Sequence, residues 1–344
     1  MADHSKGDAF RSQRGDVVHD EVEKFIMFFH SHLKDRNVHQ LQVVYEVSFT
    51  KLTERYYKSS PWPTVGSIAP LVGNDEVFLM LYRELYFRHI YSKLHPTLQQ
   101  RFDAWENYCN LFNYFLRSDV PPLDLPTVWL WDMLDEFVFQ FQSFCQFRGK
   151  AKNRAAEERQ VLKANQGVWD IAVVIRYLNM LTEKADIVRF LHLHKNDNEN
   201  DLKFDVIRSL GYFSLIAMSR VHVLIGDYHT ALTVLDPIDI NRKGYHQRLS
   251  SCTVTLHYYL GFTYMMQCRF KDATRTFSNI LNFVSRSKQF SNRPHHVDQM
   301  LKLCDKMHIL VALSVTLSPQ RLDDNIEGVI REKFGDKLAR LQQG

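Results

Sequence analysis

Large apolar residues recur along the chain at the spacing of helix faces. From Glu21 to Lys34 the apolar positions follow the series i, i+3, i+4, i+7 and i+11, which predicts an amphipathic helix. The same reasoning predicts further helices over Val43–Tyr57, Asp75–Leu94, Leu98–Leu116, Thr127–Phe147, Ile171–Leu181 and Ala185–Leu193. Asn74 and Thr127 are suited to cap the helices that follow them, and Pro61-Trp62-Pro63 predicts a loop that continues to about Gly73.

Helix breakers are scarce, and this determines the predicted fold class. The sequence has 13 glycines and 10 prolines, and no proline lies between Pro126 and Pro237. Sandwiches and barrels contain many turns and need more of these residues. We therefore predict an all-α protein, in which one helix has an aromatic wall made by Phe137, Phe139, Phe141, Phe144 and Phe147.

The last third of the sequence contains an internal repeat with an offset of 42 residues. Small residues at 219 and 261 keep this offset, and so do the alanines at 231 and 273. In each copy a small residue precedes the alanine by 12 positions and a large apolar residue follows it by four. This is the arrangement of a tetratricopeptide helix pair, whose usual unit is about 34 residues.

The turns of the two copies are predicted at Gly226-Asp227 and Cys268-Arg269, and the polar segment Pro237–Gln247 accounts for the extra length between them. A further pair is predicted over Val297–Leu317 and Asp323–Leu341. The predicted architecture is a helical-repeat, tetratricopeptide-like solenoid of stacked helix pairs.

Composition changes along the chain predict its domain organisation. The segment from Arg148 to Asn165 is charged, mixed in sign and poor in large apolar groups. We predict a disordered tail at 1–16, an N-terminal helical domain at 17–150, a charged junction at 151–165 and tetratricopeptide-like repeats at 166–344.

The charge of the chain offers no general attraction for nucleic acid. There are 43 basic and 39 acidic side chains, a formal net charge of +4, so no domain-wide positive field is expected. The best candidate for RNA contact is the basic cluster Arg148, Lys150, Lys152 and Arg154, but Glu157 and Glu158 follow it closely, and a solvated helix face is the preferred interpretation.

The sequence also predicts the cellular compartment. Residues 1–16 are polar and lack the apolar run of a signal peptide, and no later segment approaches 18 uncharged apolar residues. The cysteines are odd in number and far apart, which indicates reduced core thiols rather than a disulfide framework; they are Cys109, Cys145, Cys252, Cys268 and Cys304. We predict a cytoplasmic protein without membrane contact.

Signatures of catalysis are missing from the sequence. It has no phosphate-binding glycine loop, nucleophile elbow or common zinc motif. His192 and His194 are two apart on a helix and point to different faces, and His295 and His296 are predicted to be solvated in a loop. Three acidic pairs are predicted on helix surfaces or starts: Asp135-Glu136, Glu157-Glu158 and Asp323-Asp324. We predict a non-enzymatic protein with no catalytic, cofactor-binding or metal-binding residues and no small-molecule substrate.

Several longer strings resemble one family, that of subunit L of eukaryotic translation initiation factor 3. In the first half they are Lys51-Leu52-Thr53-Glu54-Arg55, Pro61-Trp62-Pro63, Ile68-Ala69-Pro70, Val72-Gly73-Asn74-Asp75, Arg88-His89-Ile90-Tyr91, the segment Tyr108–Tyr114, and Trp129-Leu130-Trp131-Asp132 with Asp135-Glu136-Phe137. In the second half they are Leu210–Leu215, Gly226-Asp227-Tyr228 and Arg331–Lys337.

The resemblance implies a non-catalytic scaffold subunit that helps to assemble the preinitiation complex on the small ribosomal subunit, with subunits K and E as neighbours. It also implies a C-terminal proteasome-COP9-initiation factor (PCI) module after a helical region like this one, and the sequence does not contain that module before Gly344. Two alternatives stay open from the residues: a helical-repeat scaffold of a related PCI assembly, and a helical protein that binds RNA directly.

Overall fold

The computed structural model describes residues 18–119, 123–150, 155–195, 202–240, 244–286 and 294–342. Within these ranges the backbone forms helices and connecting turns, with no β-strand. The all-α prediction is therefore confirmed. The predicted tail at 1–16 lies outside the described residues, as do Lys152 and Arg154 of the basic cluster.

The chain divides into two compact units. The first comprises residues up to Ala185 together with Phe204–Phe213, and the second comprises Asp186–Lys203 together with the residues from Ser214 onward. The helices of the first unit are α1 (Asp20–Lys34), α2 (Val38–Val43), α3 (Phe49–Tyr56), α4 (Val65–Ile68), α5 (Glu76–Lys93), α6 (Leu98–Leu116), α7 (Thr127–Gly149), α8 (Ala156–Ala164) and α9 (Ile171–Lys184). The boundary predicted at 151–165 stays a prediction.

The second unit contains the repeat region. Its helices are α10 (Ile187–Leu193), α12 (Tyr228–Leu235), α13 (Ser250–Met266), α14 (Phe270–Arg286), α15 (Pro294–Leu317) and α16 (Asp324–Gln342). Helix α11 (Val206–Ile225) begins in the first unit and continues into the second. No helix of the described ranges combines the length and the hydrophobicity that a membrane crossing requires.

The predicted apolar face of α1 is buried, and so are the central aromatic residues of the first unit. Phe137 of α7 lies at the middle of this core, with its ring centroid 4.9 Å from that of Phe112 and 5.4 Å from that of Trp169. Phe137, Phe141 and Phe144 are buried, whereas Phe139 points outward and is 43% exposed. The aromatic wall predicted for α7 is therefore wrong at Phe139.

The second predicted helix is interrupted. Instead of one helix over Val43–Tyr57, the chain forms α2, a π-helical turn at Val44–Ser48 and then α3. Helix α2 begins earlier than predicted because the Asn37 side chain accepts a hydrogen bond from the backbone N–H of Gln40 and caps it. A π turn changes the helical rise at one point, which the spacing of apolar residues does not reveal.

Both predicted helix caps are shifted by one residue. Asp75, not Asn74, caps α5, because its side chain accepts hydrogen bonds from Val77 N and Phe78 N, each at 3.1 Å. Asn74 instead adopts a left-handed conformation with φ of 57°. At α7 the N-cap is Pro126, and Thr127 is already the first helical residue without a capping hydrogen bond.

Three connections differ from the prediction. The loop expected before Gly73 contains α4 and a 3₁₀ turn at Ala69–Val72. Helix α10 begins at Ile187 rather than Ala185, because Asp186 takes a left-handed conformation with φ of 46°. Pro294 begins α15, a position that proline tolerates since its missing N–H would have no helical partner there. His295 and His296 therefore lie in the first turn of a helix and not in a loop.

Candidate protein-interaction repeats and the buried charge network

The first copy of the repeat is the pair formed by α11 and α12. Ser219, the small residue of this copy, donates a hydrogen bond from its Oγ to the backbone oxygen of Ala231 at 2.8 Å, so the two helices lie close together. Gly226 makes the turn with φ of 85°. Asp227 then caps α12 by accepting a hydrogen bond from Thr230 N at 3.1 Å. The hydrogen bonds from Thr230 hold the pKa of the Asp227 carboxyl below its usual range.

The second copy, formed by α13 and α14, has the same construction. The backbone of Gly261 approaches the buried ring of Phe277 so closely that a Cβ atom at this position would lie 2.4 Å from Phe277 Cε1. Cys268 makes the turn with φ of 60°, and it stands 42 positions after Gly226. Ala273, the equivalent of Ala231, is fully buried. The repeat predicted from the sequence is therefore confirmed. The offset of 42 residues also relates the left-handed residues of the two turns.

The third predicted pair is formed by α15 and α16. Ile326 and Ile330, one turn apart on α16, are buried in a core that also contains Phe277, Met307 and Val311. Lys333 Nζ forms an ion pair with Asp305 Oδ1 of α15 at 2.9 Å. Three large apolar side chains of α15 are exposed to solvent, namely Leu301, Ile309 and Leu317. The spacing of apolar residues in the sequence does not distinguish these positions from the buried ones.

Charged residues meet in the interior of the first unit. Arg88 of α5 forms ion pairs with Glu84 of the same helix and with Asp132 of α7, the latter at 3.6 Å. Tyr45, which the π turn carries into this site, donates a hydrogen bond to Asp132 at 2.5 Å and accepts one from Arg88. The indole N–H of Trp129 donates to Glu84 at 2.9 Å. This buried charge network joins α5, α7 and the π turn.

The carboxylates of the buried charge network are shielded from solvent. The Glu84 side chain has no exposed surface and that of Asp132 is 7% exposed. Burial raises the pKa of the Tyr45 hydroxyl well above its usual value, although Arg88 opposes this shift. Since its carboxylates are turned toward Arg88, Trp129 and Tyr45, the network is suited to fixing the positions of the helices.

Next to the network, one acidic pair that was predicted at the surface is partly buried. Asp135 and Glu136 are half-buried rather than exposed. Burial raises the pKa of the Glu136 carboxyl to about 8; Arg88 and a hydrogen bond from Gln140 oppose the shift, while Glu84 and Asp135 add to it. The surface prediction is therefore wrong for this pair. Glu157 and Asp323 lie at or beside helix starts as predicted, and Asp323 accepts a hydrogen bond from Asn325 N at 3.0 Å.

The histidine candidates do not converge. His194 directly follows α10 and its Nδ1 lies 2.8 Å from the backbone oxygen of Phe190, while His192 is exposed. The side chains of His295 and His296 lie outside the description. Across the part of the chain that is described, no group of three or more His, Cys, Asp or Glu residues is arranged to hold a metal ion.

The five cysteines are free thiols, but they are not all in the core. Cys252 and Cys304 are buried, and burial raises the pKa of the Cys304 thiol to about 11. Cys145 and Cys268 are exposed, so the prediction of core thiols is wrong for these two. Cys268 is exposed because it occupies the turn between α13 and α14, the position that the repeat predicted for it.

The basic cluster is only partly described. Arg148 and Lys150 are exposed at the end of α7. The Arg148 guanidinium lies 5.9 Å from the ring centroid of Phe144 and donates to the backbone oxygen of Gln166 at 3.5 Å. The described part of this cluster is a solvated helix end, in agreement with the preferred interpretation.

Paired helices with small residues at the crossing, left-handed turns and an apolar interior define a helical-repeat protein of the tetratricopeptide-like class. The family model described as "RNA polymerase I-associated factor PAF67" matches residues 100–344, so the chain belongs to this family. The resemblance inferred from the sequence strings is also confirmed, because the curated relatives are named eukaryotic translation initiation factor 3 subunit L.

Those relatives match nearly all of this chain. The protein from Nematostella vectensis is 43% identical over 98% of the chain, that from Xenopus tropicalis 42% over 97%, and that from Homo sapiens 41% over 97%. The chain in turn covers 66% of the Nematostella protein and 65% of each of the other two. It therefore spans slightly less than two thirds of the length of its relatives.

Proposed function

We propose that this chain is a non-catalytic scaffold subunit of the eukaryotic translation initiation factor 3 complex, which supports assembly of the preinitiation complex on the small ribosomal subunit. The observation that carries the proposal is the shared name of relatives that are 41% to 43% identical over at least 97% of the chain. The family description names an association with RNA polymerase I. The match to that model begins at residue 100, whereas the relatives named for translation initiation cover the chain almost completely.

The architecture supports a scaffold role. Stacked helix pairs bury one continuous core and leave long outer surfaces on which partner helices can pack. The charged groups of the interior, Glu84, Arg88 and Asp132, form ion pairs, and Glu84 also accepts a hydrogen bond from Trp129. Such a protein acts by binding other proteins, so we propose no turnover of a substrate and no cofactor.

The proposed partners are the other subunits of the complex, with subunits K and E as the first candidates, and the small ribosomal subunit. The proposed location is the cytoplasm, where translation initiation takes place. Membership of a related PCI assembly and direct RNA binding are less well supported: the names of the relatives point to neither, and the net charge of +4 gives no strong attraction for RNA.

The test is affinity purification of the tagged chain from eukaryotic cells, followed by identification of the co-purifying proteins and by a sucrose gradient of the lysate. The tag alone serves as control. We expect subunits of initiation factor 3 to be recovered in fixed proportion and the chain to co-sediment with the small ribosomal subunit. A chain that remains at the top of the gradient without these subunits contradicts the proposal.

A further inference from the structure

Two serines of the sequence stand directly before a proline, Ser60 and Ser318. Proline-directed serine kinases accept a hydroxyl only where proline follows it. The proline ring fixes its own backbone and biases the preceding serine toward an extended conformation, the form in which a kinase cleft holds its substrate. Many of these kinases also select a basic side chain three positions after the serine, where it pairs with an anionic group of the enzyme.

The segment that begins at Ser318 meets these requirements. Its sequence from 318 to 321 is Ser-Pro-Gln-Arg, so a proline follows the serine and an arginine stands three positions after it. Residues 318–323 connect α15 to α16 without helical structure. Pro319 and Arg321 are exposed, and Leu317 on the other side of the serine is 65% exposed. The two side chains that such a kinase reads are therefore accessible in the folded chain.

The Ser318 hydroxyl becomes accessible through a small local opening. Ser318 is half-buried, and its backbone N–H donates to the backbone oxygen of Ser314 at 2.9 Å. Gln320 Nε2 donates to Thr274 Oγ1 of α14 at 2.7 Å, and Leu322 packs against the core of the second unit. Helix ends fray and a single side-chain hydrogen bond is weak, so the segment before Leu322 opens at much lower cost than the unit unfolds.

Ser60 provides an internal comparison, because the chain after it is fixed. Ser60 is exposed, but Trp62 is 1% exposed and Pro63 is buried. The backbone oxygen of Ser60 lies 2.9 Å from Nε2 of the buried His89. A proline stands three positions after Ser60, at the place that Arg321 occupies relative to Ser318. A kinase that binds an extended segment and a basic side chain should therefore distinguish the two serines.

We propose that Ser318 is the phosphate acceptor of a proline-directed serine kinase that selects a basic residue after the proline. In this reaction Ser318 Oγ forms a bond to the γ-phosphorus of ATP, the bond from that phosphorus to the β,γ-bridging oxygen breaks, and ADP leaves. The hydroxyl proton passes to the catalytic aspartate of the kinase, and Arg321 binds an anionic group of the enzyme. The inference goes beyond the scaffold role and does not depend on it.

A phosphate on Ser318 stands at the carboxyl end of α15, which ends at Leu317. The backbone oxygens at this end of a helix have a partial negative charge, and a phosphate adds a charge of about −1.5 to −2. The single positive charge of Arg321 offsets only part of it. The phosphate therefore weakens the last turn of α15, directly before the connection that leads into α16.

The test uses the full native chain with ATP and a purified cyclin-dependent kinase, an enzyme with this selectivity. Intact-mass measurement should show one added phosphate, and peptide fragmentation should place it on Ser318 and not on Ser60. Ser318→Ala should abolish incorporation. Arg321→Ala should lower kcat/KM for the chain by about tenfold, the effect of one charge-assisted contact. The control Arg331→Ala removes the same charge from an exposed position of α16 and should leave kcat/KM unchanged.

Hydrogen exchange tests the effect of the phosphate on α15. In the phosphorylated chain the amides of the last turn of α15 and of Ser318 should exchange faster than in the unmodified chain, whereas those of α13 should be unchanged. The assignment of the site is overturned if Ser318 of the native chain takes up no phosphate, if Ser60 is modified instead, or if Arg321→Ala reacts like the native chain. Unchanged exchange in the last turn overturns the effect on α15.

Discussion

At the scale of single residues, Gly261 shows what the repeat requires. A glycine inside a helix usually costs about 0.5 to 1 kcal/mol relative to alanine. Here a Cβ atom would lie 2.4 Å from Cε1 of the buried Phe277 ring. We expect Gly261→Ala to lower the free energy of unfolding by about 1 to 2 kcal/mol, because the cost of overpacking exceeds the gain in helix propensity. Urea denaturation measures the change.

Gly328 provides the matched control for Gly261. It lies inside α16, and a Cβ atom there would meet nothing within 4 Å. Gly328→Ala should therefore raise stability by about 0.5 to 1 kcal/mol. Adding Phe277→Leu to Gly261→Ala should recover part of the loss by removing the ring. A Gly261→Ala protein as stable as the native one would show that the close approach of α13 and α14 is not what fixes this position.

Glu136 gives the chain a pH dependence that is unusual for a carboxyl group. Burial raises its pKa from 4.5 to about 8 in the folded protein, so between these values the folded state holds a proton that the unfolded state has released. Stability should therefore be greatest near pH 5, fall as the pH rises toward 8, and level off above it. Because one pKa unit corresponds to about 1.4 kcal/mol, the loss should exceed about 1 kcal/mol.

The variant Glu136→Gln tests this assignment. Glutamine keeps an acceptor for the Gln140 side chain, which donates to Glu136 at 2.8 Å, but it does not titrate. Thermal melts from pH 5 to pH 9 should show a flatter profile for the variant and a higher melting temperature at pH 8. The exposed Glu332→Gln should retain the native profile. Identical profiles for Glu136→Gln and the native chain would assign the pH dependence to other groups.

At the scale of elements, the buried charge network holds the π turn and α7 against α5. Arg88 faces Glu84 and Asp132, and its removal would leave both carboxylates buried without their cation. We expect Arg88→Met to destabilise the protein by about 3 to 5 kcal/mol. Arg55 is the control, because its 2.8 Å pair with Glu21 is exposed and Arg55→Met should cost less than about 1 kcal/mol. Comparable losses in the two variants, measured by urea denaturation, would contradict this account.

The helices could be predicted from the sequence where one local pattern determined them. Helix α6 begins at Leu98 and ends at Leu116 as predicted, since Thr97 and Gln100 form a capping box at its start. The turn residues Gly226 and Cys268 were also predictable, because the repeat places them at equivalent positions. The caps at Asp75 and Pro126 were missed by one residue because adjacent polar or proline residues compete for the same position.

The interior charges were not predictable from the sequence, and the reason is tertiary. Glu84, Arg88 and Asp132 look like residues of a solvated helix face, and only the packing of α5 against α7 brings them together. Asp239 is a similar case: it lies in the polar insertion that the repeat offset located, but a cavity beside it is also lined by residues of α10 and α13. Periodicity reports which face of one helix is apolar and gives no information on which helix covers it.

At the scale of the whole molecule, the weak net charge separates protein binding from RNA binding. With 43 basic and 39 acidic side chains, the net charge is only +4 and no domain-wide positive field attracts RNA. We expect a labelled single-stranded fragment of ribosomal RNA to bind no more tightly than about 10⁻⁶ M at physiological salt, in the range of non-specific contacts, and to show a shallow decrease in affinity between 50 and 200 mM salt. Fluorescence anisotropy measures both quantities.

A charge-reversal variant verifies that this RNA assay can detect a basic surface. Glu157→Lys with Glu158→Lys removes two acids that follow Arg148 and Lys150 in the sequence; Glu157 is exposed and Glu158 half-buried at the start of α8. The variant should bind RNA more tightly and with a steeper salt dependence. If the native chain already binds with nanomolar affinity and a steep slope, the proposed contact with the small ribosomal subunit would run through RNA. If only the variant gains affinity, the acids that follow the basic cluster prevent RNA binding, and the proposed attachment to the small ribosomal subunit would depend on protein contacts.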